Sequence, residues 1–158
     1  VLKIIQKHHI PDTILTAYWK ESTGKDATVF AKALLETVRQ LKAAGTRVWI
    51  VLDVPEVTFD VPKSLALHQM LPWLSRDPRL IATTRETHEK NNRELIRLIP
   101  ELEKAGANVL DPSPYLFDDS TKRCLIEKDG QAIYADAHHL TIEGTLRLKP
   151  LFAPVFKP

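Results

Sequence analysis

Thr46-Arg-Val-Trp-Ile-Val-Leu52 is a continuous apolar run rich in β-branched residues. A strand with one wet face alternates apolar and polar side chains, whereas a run of this kind suits a strand covered on both faces. Asp53-Val-Pro55 closes it. Upstream, Asp12-Thr-Ile-Leu-Thr-Ala-Tyr18 follows a Pro11 turn and reads as another buried strand. Between the two, Asp26 is placed to cap a helix running to about Ala44. Phe30, Leu34, Val38 and Leu41 recur at helical spacing, and Gly45 follows as a stop. Downstream, Thr84 to Lys104 is expected as a second long helix, with Leu95, Leu98, Ile99 and Leu102 as its apolar stripe and Pro100 as a kink. Gly106 ends that helix, and Asn108-Val-Leu110 is a third strand stopped by Asp111-Pro-Ser-Pro114. Strands alternating with helices predict an α/β fold, a parallel sheet with helices on both faces.

The remaining segments are less regular. Residues 56–78, with Pro62, Pro72 and Pro78, read as a surface excursion holding a short helix around Ser64 to Leu71. Cys124 to Tyr134 reads as a small hairpin turning at Asp129-Gly130, and a last helix starts near Thr141, ended by Pro150 and Pro154. The 158 residues amount to a single domain, 1–158.

Composition excludes several function classes. The chain is 44% hydrophobic and 27% charged, and no run of about 18 apolar residues encodes a membrane span. Its 22 basic and 20 acidic residues give a net charge of +2, too balanced for a nucleic-acid footprint. Cys124, the single cysteine, allows neither an internal disulfide nor a structural zinc site. Val1-Leu-Lys-Ile-Ile-Gln-Lys-His8 is too short and too charged for a signal peptide; with no initiator Met, it suggests a segment of a longer chain carrying its targeting information upstream. No cofactor is implied.

Ligands of open parallel sheets bind beyond the carboxyl ends of the strands. Three features fall there: Tyr18-Trp19, Asp53 and the loop holding Asp136 and His139. In the last, a carboxylate precedes an imidazole by three residues, so one tight turn brings them together. The acid fixes the ring's tautomer and leaves the other nitrogen to take a proton from a hydroxyl. The same spacing also suits a helix cap at Asp136 with His139 on the surface. Of the neighbouring pair, His138 is expected to point away. A metal set of Asp136, His138 and His139, joined by His8 or His9, lacks a zinc-binding pattern, so no metal is assigned. Trp19 either lines the site with Tyr18 or covers a strand end. Asp53 reads as a turn residue, His68 and His88 as solvated, and Cys124 as a small buried residue. Ser22, Ser64, Ser75, Ser113 and Ser120 all lack a Gly-x-Ser-x-Gly or Gly-Asp-Ser context, and Ser22-Thr23-Gly24 reads as loop.

Tyr134-x-Asp136-x-x-His139-Leu-Thr-x-x-Gly144 resembles the C-terminal block of SGNH-type hydrolases, and more closely the variant fused to acyltransferase-3 membrane proteins. Asp12-Thr-Ile-Leu-Thr-Ala-Tyr-Trp19 resembles that variant's strand ending in tryptophan. Ala107-Asn-Val-Leu-Asp111-Pro, with Cys124 and Asp129-Gly130 after it, resembles its last strand and the insert that follows. The resemblance implies a flavodoxin-like three-layer sandwich, of which this chain is the C-terminal portion and supplies the third, fourth and fifth strands. It implies catalytic roles for His139 as base and Asp136 as its orienting partner, with the serine in a block outside this chain, and substrate-binding roles for Trp19 and Tyr18. Ala17-Tyr18-Trp19 occupies the place of the third block's asparagine, and Leu116-Phe117 stands where the variant carries a first cysteine. The implied activity is that of an O-acyltransferase or esterase on cell-envelope polysaccharide. An upstream membrane acyltransferase domain would deliver the acyl group, usually acetyl, and this periplasmic or extracytoplasmic domain would pass it to a sugar hydroxyl. The competing reading is a non-catalytic α/β module that binds glycan or a partner.

Overall fold

The structure is a computed structural model that describes residues 1–23 and 26–157. The chain runs through α1 (Leu2–His8), β1 (Asp12–Leu15), α2 (Trp19–Thr23), α3 (Ala27–Ala43), β2 (Arg47–Val51), α4 (Val61–Met70), α5 (Pro78–Ile81) and α6 (Arg85–Asn91). It continues through α7 (Arg93–Lys104), β3 (Ala107–Leu110), α8 (Ser113–Leu116), β4 (Glu127–Lys128), β5 (Gln131–Ala132), α9 (Ile142–Arg147) and a 3-10 helix, Lys149–Phe156. These elements gather into two compact units, one of described residues 1–23, 26–53, 91–111 and 154–157, the other of 54–90 and 112–153.

The first unit is an α/β layer structure around a parallel sheet in the order β1-β2-β3. Asp12 pairs with Arg47 and Leu15 with Ile50; Val48 pairs with Ala107 and Val51 with Leu110. Val48, Trp49 and Ile50 are buried in succession, so both faces of the middle strand are covered, as its sequence requires. Both crossovers step the same way across the sheet, which places α3 and α7 on one face in mutual contact. Their stripes, Leu34, Leu35, Val38 and Leu41 with Leu95, Leu98 and Leu102, close over Val48 and Ile50. Asp26 caps α3 by accepting from the N–H groups of Thr28 (3.1 Å) and Val29 (3.0 Å).

Four local readings change here. The strand from Asp12 stops at Leu15, because the next residues turn toward α2. The expected helix from Thr84 to Lys104 is two helices broken at Asn92, and α7 continues through Pro100. The amphipathic N-terminal segment, given no element from sequence, is the helix α1, ended by His9 in the left-handed region at φ 49°. Of Ser22-Thr23-Gly24, the first two close α2 and Gly24 lies outside the described residues.

In the second unit, the proline-rich excursion is anchored rather than loose. Val57 and Val61 are buried, and Asp60 caps α4 through the N–H of Lys63 at 2.9 Å. The hairpin turns at Asp129 (φ 51°) and Gly130 (φ 79°), the pair of positive φ angles that a two-residue turn matched to strand twist demands. Cys124, Ile126, Ile133, Tyr134, Leu116 and Phe117 are buried in this unit. Cys124 is held well away from reactivity: burial pushes its thiol up to about 11, against a bond from its Sγ to the Tyr134 hydroxyl at 3.2 Å.

Candidate active site

The loop from Ala135 to His139 is pinched shut at its base. Tyr134 and Leu140 pair as an antiparallel bridge, the N–H of Ala135 donates to the carbonyl of His139 at 2.8 Å, and the N–H of Thr141 donates to that of Ile133 at 3.0 Å. From outside, the segment leading into α4 braces the loop: Val57 N–H reaches the Ala137 carbonyl (2.9 Å) and Val61 N–H that of Asp136 (3.4 Å).

Inside this frame Asp136 turns back on its own loop. Its Oδ1 accepts from the backbone N–H groups of His138 and His139, each at 2.8 Å, and its Oδ2 lies 2.6 Å from Nδ1 of His139. The N–H of His138, the ring of His139 and the N–H of His139, in that order, hold the carboxyl far below the usual carboxylate range. An ionised carboxylate only accepts, so the bond assigns a proton to Nδ1, and in the neutral ring Nε2 is then the bare lone pair. His139 Nε2 has no hydrogen-bond partner among the described residues, and the side chain is 68% exposed. The arrangement can orient an imidazole and stabilise its cation once Nε2 takes a proton.

The helix-cap alternative for Asp136 gives way to another residue. Thr141 caps α9: its Oγ1 accepts from Gly144 N–H (3.1 Å) while its hydroxyl donates to the Ala132 carbonyl (2.8 Å). Gly144 is required by contact, since a Cβ there would stand 2.2 Å from the Ile133 carbonyl oxygen. Tyr134 is fully buried, and burial drives its hydroxyl pKa upward, so it supports the loop from the core.

His138 does not turn away as its position suggested. Its ring lies beside that of His139, centroids 4.1 Å apart, and its Nδ1 is 3.8 Å from Asp136 Oδ1, too far for a hydrogen bond. Ligand-type atoms of Asp136, His138 and His139 thus fall within 4.8 Å of one another. Both carboxylate oxygens of Asp136 already accept hydrogen bonds, Oδ1 from two backbone N–H groups and Oδ2 from the His139 ring. His8 and His9 belong to the other compact unit.

The structure brings Asp136 and His139 together and places Tyr18 and Trp19 in the sheet-bearing unit. Trp19 is 6% exposed; its indole N–H donates to the Val51 carbonyl (2.7 Å) and its ring packs edge-on against Phe30. Tyr18 is 39% exposed. Asp53 proves more than a turn residue: its two oxygens accept from the N–H groups of Trp19 and Lys20, both at 3.0 Å, capping α2 from 34 residues away. His88, expected in solvent, is buried, with Nε2 3.3 Å from the Ser113 hydroxyl and its ring against Phe117. His68 is only partly exposed and bonds Ser75 Oγ through Nδ1 at 3.2 Å. No serine with a described side chain hydrogen-bonds His139.

Comparison with known proteins agrees with this architecture. A family model described as "SGNH domain (fused to AT3 domains)" matches residues 1–154. The periplasmic domain of a lipopolysaccharide acetyltransferase from Salmonella ser. Paratyphi A superposes with a TM-score of 0.74 at 19% identity, over 99% of this chain and 60% of that one. That likeness establishes a shared fold, of which this chain spans 60% of the Salmonella domain's length. No curated protein sequence matches the chain. The family match runs through both compact units to within a few residues of the C-terminus, and the chain belongs to the family of SGNH domains fused to AT3 domains.

Proposed function

We propose that this chain is the base-bearing part of an extracytoplasmic O-acyltransferase or esterase domain acting on cell-envelope polysaccharide. His139 is its general base, and Asp136 the group that orients it. The observation that carries the reading is the 2.6 Å bond between Asp136 Oδ2 and His139 Nδ1, with Nε2 open. The nucleophile is a serine that this chain does not supply. In the first half-reaction His139 takes that serine's proton as its oxygen attacks the acyl carbonyl; it then returns the proton to the leaving group. In the second it takes a proton from a sugar hydroxyl, or from water, as that oxygen attacks the acyl-serine, and gives it to the serine oxygen as the acyl–serine bond breaks. Tyr18 and Trp19 are its substrate contacts in this reading. The AT3 domain of the family supplies the acyl donor from the membrane side. One family match across residues 1–154 supports treating both compact units as parts of a single SGNH-like domain.

The test is acyl transfer and acetyl-ester hydrolysis by the full-length protein. His139→Ala and Asp136→Asn should each lower the rate by roughly 100- to 10,000-fold while circular dichroism shows each variant folded. The 158-residue chain alone should not turn over a simple acetyl ester. Turnover by that chain that disappears in His139→Ala would place the nucleophile within it and overturn the reading.

A further inference from the structure

Helix α4 carries apolar side chains outward as well as inward. Val61 is buried, yet Leu67 is 46% exposed and Met70 73%. The turn that follows adds Trp73 at 80% and Leu74 at 75%. Lys63, Leu67 and Met70 recur at i, i+4 and i+7, one face of α4, and Leu74 follows in the turn. The turn is fixed rather than loose: Leu74 and Ser75 N–H groups donate to the Leu71 carbonyl at 3.0 and 3.2 Å, and Ser75 Oγ bonds His68. Helix α5 packs against α4 and leaves Leu80 exposed. A cluster of this size on a pinned backbone calls for a partner.

Charge decides which partner. The two carboxylates of this stretch cap helix starts, Asp60 accepting from the N–H of Lys63 and Asp77 from that of Arg79. Arg79 is in turn occupied by Asp77 and Glu127. Lys63 and Arg76, both exposed, make no ion pair among the described residues. The face therefore presents a tryptophan, a methionine and leucines, edged by two uncommitted cations. Trp and Leu inserted at the acyl boundary with Lys/Arg at headgroup level is the composition of an interfacial membrane contact.

The geometry points to α4 and the Trp73-Leu74 turn as a docking face for an anionic phospholipid bilayer. The same α4 entry braces the Asp136–His139 loop through Val57 and Val61, so a membrane-docked α4 would hold the proposed base at the bilayer surface. Binding itself does not depend on any reaction at His139, so it stands or falls apart from the proposed catalysis.

The chain contains its own reporter. Of its three tryptophans, Trp19 and Trp49 are each 6% exposed, so a change in emission on binding reports Trp73. The 158-residue chain is mixed with vesicles of phosphatidylethanolamine and phosphatidylglycerol, then with vesicles of phosphatidylcholine alone. Co-sedimentation and a blue shift are expected with the anionic vesicles and should weaken as salt is raised. Trp73→Ala combined with Leu74→Ser should lower partitioning about tenfold, and Lys63→Glu and Arg76→Glu about fivefold each, with circular dichroism showing each variant folded. Three results would overturn the proposal: no binding to anionic vesicles, binding unchanged in the folded variants, or a concentration-dependent dimer that itself buries Trp73.

Discussion

The carbonyl oxygen of Ile133 occupies the space into which any side chain at Gly144 would project, 2.2 Å from an ideal Cβ. The first turn of α9 therefore packs directly on the backbone that leads into the Asp136–His139 loop. This turns the glycine of the terminal block from a pattern into a contact. Gly144→Ala must push α9 away, and with it the Thr141 cap. A loss of about 3 kcal/mol is expected in urea melts, together with a fall in acyl transfer by the full-length protein.

Phe117 and Cys124 form an isolated antiparallel bridge. The flanking bonds run from Leu125 N–H to Leu116 and from Asp118 N–H to Arg123, which makes 117 and 124 a pair without direct hydrogen bonds, the kind with the shorter Cα separation. Phe117→Cys should therefore close a disulfide with Cys124 under mild oxidation, at some loss of packing where the ring met His88 and Arg85. Thiol titration of the denatured, oxidised variant should find no free thiol. Two free thiols after oxidation would show that the side chains diverge.

Acid should destabilise the chain through identifiable carboxylates. Asp118 is lowered from 3.8 to about 2, first by the Ser120 hydroxyl and then by the N–H of Thr121. Asp136 lies lower still. A group whose pKa is depressed on folding contributes stability above its unfolded value and loses it as pH falls through its folded value. Melting temperature should hold at pH above about 4, fall between about 4 and 2, and fall less steeply there in Asp118→Asn. An unchanged profile in that variant would remove Asp118 from the account.

What could be read from the sequence was local. The β-branched run at Thr46 to Leu52, the Asp26 cap, the Asp129-Gly130 turn and the Asp136–His139 spacing each carry their cause within a few residues, and each has its counterpart in the structure. What escaped depends on contacts distant in sequence. Asp53 caps α2 across 34 residues, His88 is buried against Ser113 and Phe117, and Trp19 hangs from the Val51 carbonyl. The division of the expected Thr84–Lys104 helix at Asn92 was hidden for a different reason: the apolar stripe of α7 is strong enough to suggest continuity with the residues before it.

Nitrogen-resolved NMR of the His139 ring tests the central claim most directly, because it reads the tautomer that Asp136 is held to impose. When the ring is neutral, the account predicts a proton on Nδ1 and a bare Nε2, with that preference weakened in Asp136→Asn. A proton resident on Nε2, or a tautomer mixture indifferent to the substitution, would contradict it.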